Sequence, residues 1–290
     1  MASPTVPGPI NEGLLKTTPF LTGPLQKMVS EIGQPVIYQL AIGDSLVPMA
    51  DSIGKKICFK YHGEINCCHC GRPTKKSFNQ GFCYPCFKTL ASCDRCIMSP
   101  ELCHYQQGTC REPKWGESFC MTPHYVYLAN SSGIKVGITR ASQIPTRWID
   151  QGAIQGLMIA RVASRFIAGQ LEVIFKSQVA DKTNWRVMLK GQIDQIDLIA
   201  QRDRLIEICK HEINKLPLKN TDIEWLQDEV ETIIEYPVRE YPVKVTPLSF
   251  DKTASVEGTL MGIKGQYLLL DTGVLNIRKH TSYHVDFFAA

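Results

Sequence analysis

The sequence lacks two features that would place the protein in a membrane or in the secretory pathway. No stretch of its 290 residues approaches the roughly 18 apolar residues of a membrane-spanning helix. Residues 1–30 have no basic start followed by an apolar run, which is the pattern of a signal peptide. We therefore expect a cytoplasmic protein that contacts no membrane. A hydrophobic fraction of 44% is ample for two or three packed units.

A large excess of one charge sign is also absent, because the formal net charge is only +4. The charges are nevertheless unevenly distributed. Residues 51–150 hold thirteen Lys and Arg against seven Asp and Glu, whereas residues 192–240 hold six against twelve. This asymmetry suggests that the basic half faces a polyanion. The alternative is that a small metal module carries lysines for solubility, and composition does not decide between the two.

Cysteine, in contrast, is abundant and localised. Eleven of the twelve cysteines lie between Cys58 and Cys120, and Cys209 lies outside. A disulfide scaffold is one explanation, but disulfides belong mainly to secreted chains. Two CxxC pairs separated by twelve residues, Cys67 with Cys70 and Cys83 with Cys86, instead match the spacing of a zinc ribbon. We predict that these four thiolates bind one zinc ion.

The cysteines that follow are sufficient for a second zinc site, which gives about two structural Zn²⁺ ions per chain. There are more candidates than positions: Cys93, Cys96, Cys103, Cys110 and Cys120, with His104 and His124 as possible substitutes. Cys58 lies in a strand pattern and Cys209 in a helical one, so both are expected to be buried thiols.

Basic side chains alternate with aromatic ones inside the cysteine run, which suits phosphate contacts and base stacking. The candidate nucleic-acid contacts are Arg72, Lys75, Lys76 and Lys88, together with Arg140 further along. The neighbouring aromatic residues are Phe78, Phe82, Tyr84 and Phe87. The alternative for Phe82 and Phe87 is that they cover the zinc site, because so small a module has little other core.

Both ends of the chain contain short strand patterns. Residues 36–43 and 54–65 alternate partly between apolar and polar side chains, and residues 241–290 contain several short strands separated by glycine turns. We predict an α+β protein whose terminal strands join in a small antiparallel barrel or sandwich, with the rest inserted between them. Two separate β units are the alternative.

The middle of the chain predicts a compact α/β unit with the order β-β-α-β-α. Two strands form a hairpin around residues 130–133, and Gly137 in the second strand implies a close approach by another group. A helix of about ten residues is expected after Ser142, followed by a third strand and a second helix. Two further amphipathic helices are expected between residues 192 and 236, with acidic faces turned away from nucleic acid.

Residues 124–186 resemble the GIY-YIG nuclease superfamily, in the branch whose second motif reads Lys-hydrophobic-Gly-x-Thr. Here that motif is residues 135–139, KVGIT, and the order and spacing of the other positions carry the resemblance. The matching residues are Tyr125 or Tyr127 in the first motif, Lys135 and Gly137 in the second, Arg147 and Glu172 on the two helices, and Asn184 beyond them. The whole chain also resembles an uncharacterised bacterial family that joins such cysteines to this unit.

The GIY-YIG resemblance implies phosphodiester hydrolysis with one divalent ion, Mg²⁺ or Mn²⁺, held by Glu172. Arg147 would contact phosphate oxygens, and a tyrosine would help to deprotonate water. Lys135 replaces the usual second tyrosine, and could bind phosphate or act as a base. The alternatives are a non-catalytic nucleic-acid or ribonucleoprotein-binding protein and a zinc-dependent scaffold, with DNA and RNA undecided and the oligomeric state open.

These patterns divide the chain into five segments. They are N-terminal strands in residues 1–66, a zinc-binding module in 67–123, the GIY-YIG-like unit in 124–190, a helical brace in 191–236 and C-terminal strands in 237–290.

Overall fold

The computed structural model describes residues 18–179, 184–219 and 222–290, and it is a mixed α+β structure. The strands are β1 (Leu21–Pro24), β2 (Val29–Glu31), β3 (Ile37–Ile42), β4 (Ser45–Pro48), β5 (Lys56–Ile65), β6 (His124–Asn130), β7 (Ile134–Arg140), β8 (Gln155–Val162), β9 (Ile223–Trp225), β10 (Thr232–Ile233), β11 (Pro247–Leu248), β12 (Ser255–Lys264), β13 (Tyr267–Leu270), β14 (Gly273–Asn276) and β15 (Tyr283–Ala289).

The helices are few and mostly short. They are α1 (Tyr84–Thr89), α2 (Arg95–Met98), α3 (Pro113–Phe119), α4 (Thr146–Asp150), α5 (Arg165–Lys176), α6 (Trp185–Lys190) and α7 (Leu198–Asn214). Within the described ranges, none of them has the length and apolar character needed to cross a membrane.

Strands from the two ends of the chain pair in one seven-stranded sheet, which we call the terminal sheet. Its order is β1-β15-β5-β12-β13-β14-β11, so that β5 lies between β15 and β12. Alternate residues of β15 face the core, as expected for a strand with one buried face. The Phe287 ring packs against the Phe59 ring in a tilted arrangement, with centroids 4.9 Å apart. The prediction that the terminal strands join is therefore confirmed.

The terminal sheet is open rather than a closed barrel. Among the described residues its end strands are β1 and β11, and these do not pair with each other. A separate three-stranded sheet, β2-β3-β4, forms beside it from residues 29–48. The barrel form of the prediction is therefore wrong, because the short N-terminal strands pair among themselves instead of closing the larger sheet.

The middle of the chain forms a second sheet around β6, which pairs antiparallel with β7 and β8. We call it the middle sheet. The three predicted strands are present, and β9 and β10 extend the sheet by pairing with β8. Helices α5 and α7 cover one face through a core that includes Val126, Leu128, Leu171 and Leu205.

Two predicted helices differ from the structure. Residues 222–236 contain β9 and β10 instead of an amphipathic helix, because the edge of β8 offers unpaired backbone groups that the segment satisfies. The helix expected after Ser142 is reduced to a 3-10 turn at Ala141–Gln143 and to the five residues of α4. Pro145 separates them, since proline donates no backbone hydrogen bond and restricts the residue before it.

Helix α5 is well specified by its sequence. The side chain of Ser164 caps its first turn by accepting a hydrogen bond from the backbone N–H of Ile167 at 3.4 Å. Its buried residues Ala168, Leu171 and Phe175 recur at helical spacing and pack on the middle sheet. This packing determines which face of α5 contacts the middle sheet. It therefore also determines the orientation of Glu172, which lies on the same helix.

Candidate metal centre and basic cluster

The four cysteines of the two CxxC pairs converge. The sulfur atoms of Cys67, Cys70, Cys83 and Cys86 all lie within 4.8 Å of one another, and Cys70 Sγ is 3.7 Å from Cys83 Sγ. A tetrahedral zinc site with bonds of about 2.3 Å places its sulfurs roughly 3.8 Å apart. The cluster therefore has the donor set and the spacing to hold one metal ion such as zinc.

Local backbone structure positions these thiols. The first pair lies in a turn closed by a hydrogen bond from the backbone N–H of Gly71 to the carbonyl of Cys67 at 2.9 Å, and Gly71 has a φ of +70°. The second pair lies at the start of α1, where Cys83 precedes the helix. A turn and a helix start thus bring two thiols each to the same place.

The Cys67 thiol is prepared to ionise. Burial acts to raise its pKa, but backbone N–H groups of Cys70, Cys83 and His69 donate toward the sulfur, and the result is a pKa of about 6. The thiolate is the form that binds a metal. All twelve cysteines are free thiols, so the structure contains none of the disulfides that a secreted scaffold would need.

Aromatic side chains pack beside the first cluster. Phe78 stacks on Phe87 with ring centroids 5.6 Å apart and contacts Tyr84 at 5.4 Å. Lys76 Nζ lies 5.4 Å from the centre of the Phe78 ring. The aromatics therefore contact one another at the surface of the cluster, whereas the neighbouring lysines are exposed.

The remaining cysteines do not form one group. Cys96, Cys103, Cys110 and Cys120 line a common small cavity, in which Asp94 and His104 also take part. Cys93 is not part of this lining. Its sulfur instead accepts a hydrogen bond from the Asn79 side-chain amide at 3.6 Å. His124 is buried within strand β6, where its Nδ1 lies 2.8 Å from the carbonyl of Thr122 and burial lowers its pKa to about 4.

The second group of predicted residues surrounds Arg147. Burial raises the pKa of Tyr127, while the adjacent Arg147 guanidinium acts to lower it and the Glu172 carboxylate acts to raise it. The Tyr127 hydroxyl donates to Gln151 Oε1 at 3.1 Å. Burial and the charge of Arg147 lower the pKa of Lys135 to about 7. We call Tyr127, Lys135, Arg147 and Glu172 the Arg147 cluster.

Two further arginines face the Arg147 cluster. Arg165 at the start of α5 interacts electrostatically with both Arg147 and Glu172. Arg278, which follows β14, interacts with Arg147 and Asp150. Their approach could not be read from sequence, since Arg278 is more than 130 residues from Arg147 and only the sheet topology brings it near.

Gly137 is required by the ring of Tyr127, which lies opposite it on the neighbouring strand. A Cβ atom built on Gly137 would lie 2.5 Å from both Cζ and Oη of Tyr127. The predicted close approach at Gly137 is therefore present, and the approaching group is the Tyr127 ring.

Three predicted site residues have other surroundings. Tyr125 interacts with Arg161. Tyr127 is the tyrosine that interacts with Arg147. The Asn184 side chain caps α6 by accepting from the backbone N–H of Arg186 at 3.2 Å. Arg140 packs its guanidinium 3.8 Å from the centre of the Phe119 ring.

The predicted nucleic-acid residues of the cysteine run are exposed, and two of them border a groove. Lys75 and Lys76 line it together with Arg278 and Lys279 from the terminal sheet, and its volume is about 680 Å³. Arg72 and Lys88 are exposed outside this lining. Asp251 is the acidic member of the groove and pairs with Lys279 at 3.1 Å.

Together the fold and the cysteine cluster define a mixed α+β protein with a candidate metal centre. A family profile described as a protein of unknown function, DUF2797, matches residues 54–285, and the chain belongs to that family. No curated protein and no solved structure matches the chain. The family match thus covers the cysteine run, the middle sheet and most of the terminal sheet.

We expect Cys83→Ser to remove one zinc equivalent per chain, because serine cannot replace a thiolate ligand. The measurement is the zinc content of purified protein by native mass spectrometry. Cys209→Ser is the matched control, since Cys209 is buried in α7 away from both groups. Unchanged zinc content in Cys83→Ser would contradict the first metal centre.

Gly137→Ala should destabilise the protein by about 1–3 kcal/mol, because the added methyl group collides with the Tyr127 ring. Tyr127→Leu removes the colliding atoms, so that the same glycine substitution should cost less in that background. Denaturant unfolding of the two single variants and the double variant measures the coupling. Equal costs in both backgrounds would show that the ring does not impose glycine.

Proposed function

We propose that this protein binds nucleic acid and hydrolyses phosphodiester bonds at the Arg147 cluster, in the manner that the GIY-YIG resemblance implies. The observation that carries the proposal is that Tyr127 and Arg165 each interact electrostatically with both Arg147 and Glu172. Residues distant in sequence thus meet in one place with the donor, cationic and carboxylate groups that phosphoryl chemistry needs.

A surplus of positive charge supports a phosphate ligand. Arg165 and Arg278 both interact electrostatically with Arg147, and Lys135, whose pKa is about 7, adds positive charge when it is protonated. Among the described residues, the Asp150 carboxylate pairs with Lys27 at 2.5 Å and the Glu172 carboxylate pairs with Lys176 at 3.4 Å. Cations held close together without equal negative charge favour binding of an anion. An arginine can contact two phosphate oxygens at once, which would orient the substrate.

The protonation states suggest roles for Tyr127 and Lys135 that differ from those implied by the GIY-YIG resemblance. Because the pKa of Tyr127 is raised, its hydroxyl keeps its proton at neutral pH and serves as a hydrogen-bond donor. Lys135 has a pKa of about 7, so that a substantial fraction of its amine is neutral near that pH and can act as a proton acceptor. In our proposal Lys135 is therefore the base, and Tyr127 positions the phosphate or the water.

Glu172 is the residue that would hold a divalent ion. Its side chain is only 12% exposed and lies 3.4 Å from Lys176 Nζ. One protein carboxylate together with substrate phosphate oxygens is a usual environment for Mg²⁺. The ion would neutralise charge that develops on the phosphate and the leaving oxygen.

A second candidate function is nucleic-acid binding without cleavage, and the basic groove favours it. The groove joins Lys75 and Lys76 to Arg278 and Lys279. Arg278 also faces Arg147, so the groove and the Arg147 cluster are electrostatically connected. A polyanion lying in the groove would therefore reach the cluster, whether or not cleavage follows. DNA and RNA would both satisfy these contacts.

The test of hydrolysis is single-turnover cleavage of labelled single- and double-stranded DNA and RNA with Mg²⁺ or Mn²⁺. We expect Glu172→Ala to lower the rate by about 100-fold or more, because it removes charge stabilisation in the transition state. Glu207→Ala is the matched control, since Glu207 lies on α7 in an exposed pair with Lys210. No cleavage by the wild type, or equal cleavage by Glu172→Ala, would reject the enzyme.

The test of binding is the salt dependence of affinity for a labelled oligonucleotide. Replacing Lys75 and Lys76 by glutamine should reduce the slope of log K against log salt by about 1.4 for a single strand, because two phosphate contacts are lost. The same replacement of Lys210 and Lys215, which pair with glutamates on α7, is the control. An unchanged slope in the Lys75 and Lys76 variant would remove the groove from the binding site.

A further inference from the structure

The second half of the cysteine-rich segment encloses a cavity of about 10 Å³, close to the space of one water or one ion. Its lining includes four thiols, which are brought together from separate positions between residues 96 and 120. Cys96 lies in α2, Cys103 follows a 3-10 turn, Cys110 precedes α3, and Cys120 ends it.

These thiols are electrostatic neighbours of one another, and Cys96 also interacts with the Asp94 carboxylate. Cys96 interacts with Cys103 and Cys120, and Cys120 interacts with Cys103 and Cys110. Within the described ranges none of the four makes a hydrogen bond with another group. Gly116 packs closely on one of these thiols, since a Cβ atom at this position would lie 3.1 Å from Cys110 Sγ. Cys120 is buried and the other three thiols are half-buried. Four thiols that line one small void form a donor set for a soft divalent ion.

Asp94, Cys96 and His104 form a competing group, whose ligand atoms lie within 4.8 Å of one another. Two of these residues are already engaged. The Asp94 carboxylate accepts from Arg111 Nε at 2.8 Å and caps the backbone N–H of Arg95. His104 Nδ1 lies 2.8 Å from Thr109 Oγ1, and its Nε2 lies 3.5 Å from Asp94. An ion pair and a helix cap account for this arrangement without a metal.

Positive charge is present to balance a tetrathiolate site, which carries a net charge of −2 with Zn²⁺. Arg165 and Arg140 both interact electrostatically with Cys120. The buried Nε of Arg165 has no hydrogen-bond partner among the described residues, so it is available to donate to a thiolate. Its Nη2 donates to the carbonyl of Ile97 at 2.7 Å, beside Cys96.

The same residues join the cavity to helix α5. The backbone N–H of Arg165 donates to the carbonyl of Cys120 at 2.8 Å, so that the helix begins at the last of the four cysteines. Gly169, one turn later, packs so closely on Pro100 and Glu101 that a Cβ would lie 2.5 Å from the Glu101 backbone nitrogen. The backbone around the cavity therefore sets the position of α5.

We propose that Cys96, Cys103, Cys110 and Cys120 bind a second zinc ion, and that this centre holds the start of helix α5 in place. Cys93 and His104 are not ligands. The proposal is independent of whether the Arg147 cluster cleaves nucleic acid.

The first experiment is zinc stoichiometry by native mass spectrometry of the full chain. The wild type should carry two ions, and Cys103→Ser and Cys110→Ser should carry one. The controls Cys93→Ser and His104→Gln should keep two. Two ions in both Cys103→Ser and Cys110→Ser, one ion in the wild type, or loss of an ion in His104→Gln would each overturn the proposal.

A second measurement needs no variant to fold. X-ray absorption at the zinc edge of the wild type should give sulfur ligands alone at about 2.3 Å. A contribution from nitrogen or oxygen ligands, two in eight if Asp94 and His104 both bind, would contradict the proposal.

The link to α5 is tested by hydrogen exchange. Amides 166–170 should exchange faster in Cys110→Ser than in Cys70→Ser, which empties the first centre instead. Equal protection in the two variants would show that the second centre does not hold the helix.

Discussion

The segment from residue 67 to residue 123 has no conventional core, and the rest of the structure depends on what replaces it. Its buried residues are Cys67, Gly81, Cys83, Ala91, Cys93, Pro100, Gly116 and Cys120, and none of them has a large apolar side chain. Burial of such small groups removes little apolar surface from water. Small modules of this kind are usually held by metal or disulfide bonds. Since the cysteines are free thiols, metal–sulfur bonds are the interaction that can define the shape of this segment.

The segment contacts both sheets, which is why its shape matters beyond itself. Toward the terminal sheet, the Ser282 hydroxyl donates to the carbonyl of Gly81 at 3.2 Å, and the Ser77 hydroxyl donates to the carbonyl of Thr281 at 3.5 Å. Toward the middle sheet, the contacts run through Arg165 and Gly169 of α5. A displacement of the segment would therefore change the positions of Arg278 on one side and of Glu172 on the other.

The sequence predicted well those features that depend on spacing along the chain. The convergence of Cys67, Cys70, Cys83 and Cys86 follows from two CxxC turns, and the close approach at Gly137 follows from a glycine inside a strand. The choice between Tyr125 and Tyr127 could not be made, because both side chains are two residues apart on the same strand. Only the position of Arg147 after Pro145 distinguishes them.

Features that depend on pairing between distant segments were predicted less well. The apolar residues of the 222–236 segment fit a helix as well as a strand, and the open edge of β8 selected the strand. Likewise Cys96 lines the small cavity whereas Cys93 does not, and the Cys93 sulfur accepts a hydrogen bond from the distant Asn79 side chain. No local pattern encodes either result. The assignment of individual cysteines to two groups therefore needs the three-dimensional arrangement.

The position of β5 between β12 and β15 has a consequence for synthesis of the chain. Ile57 pairs with Ala289, so that the terminal sheet cannot be completed until the final strand has left the ribosome. The four cysteines of the first centre span only twenty residues and can collect their ion long before that. We therefore expect metal capture to precede closure of the sheet, so that the growing chain carries an ordered insert between two unfinished halves.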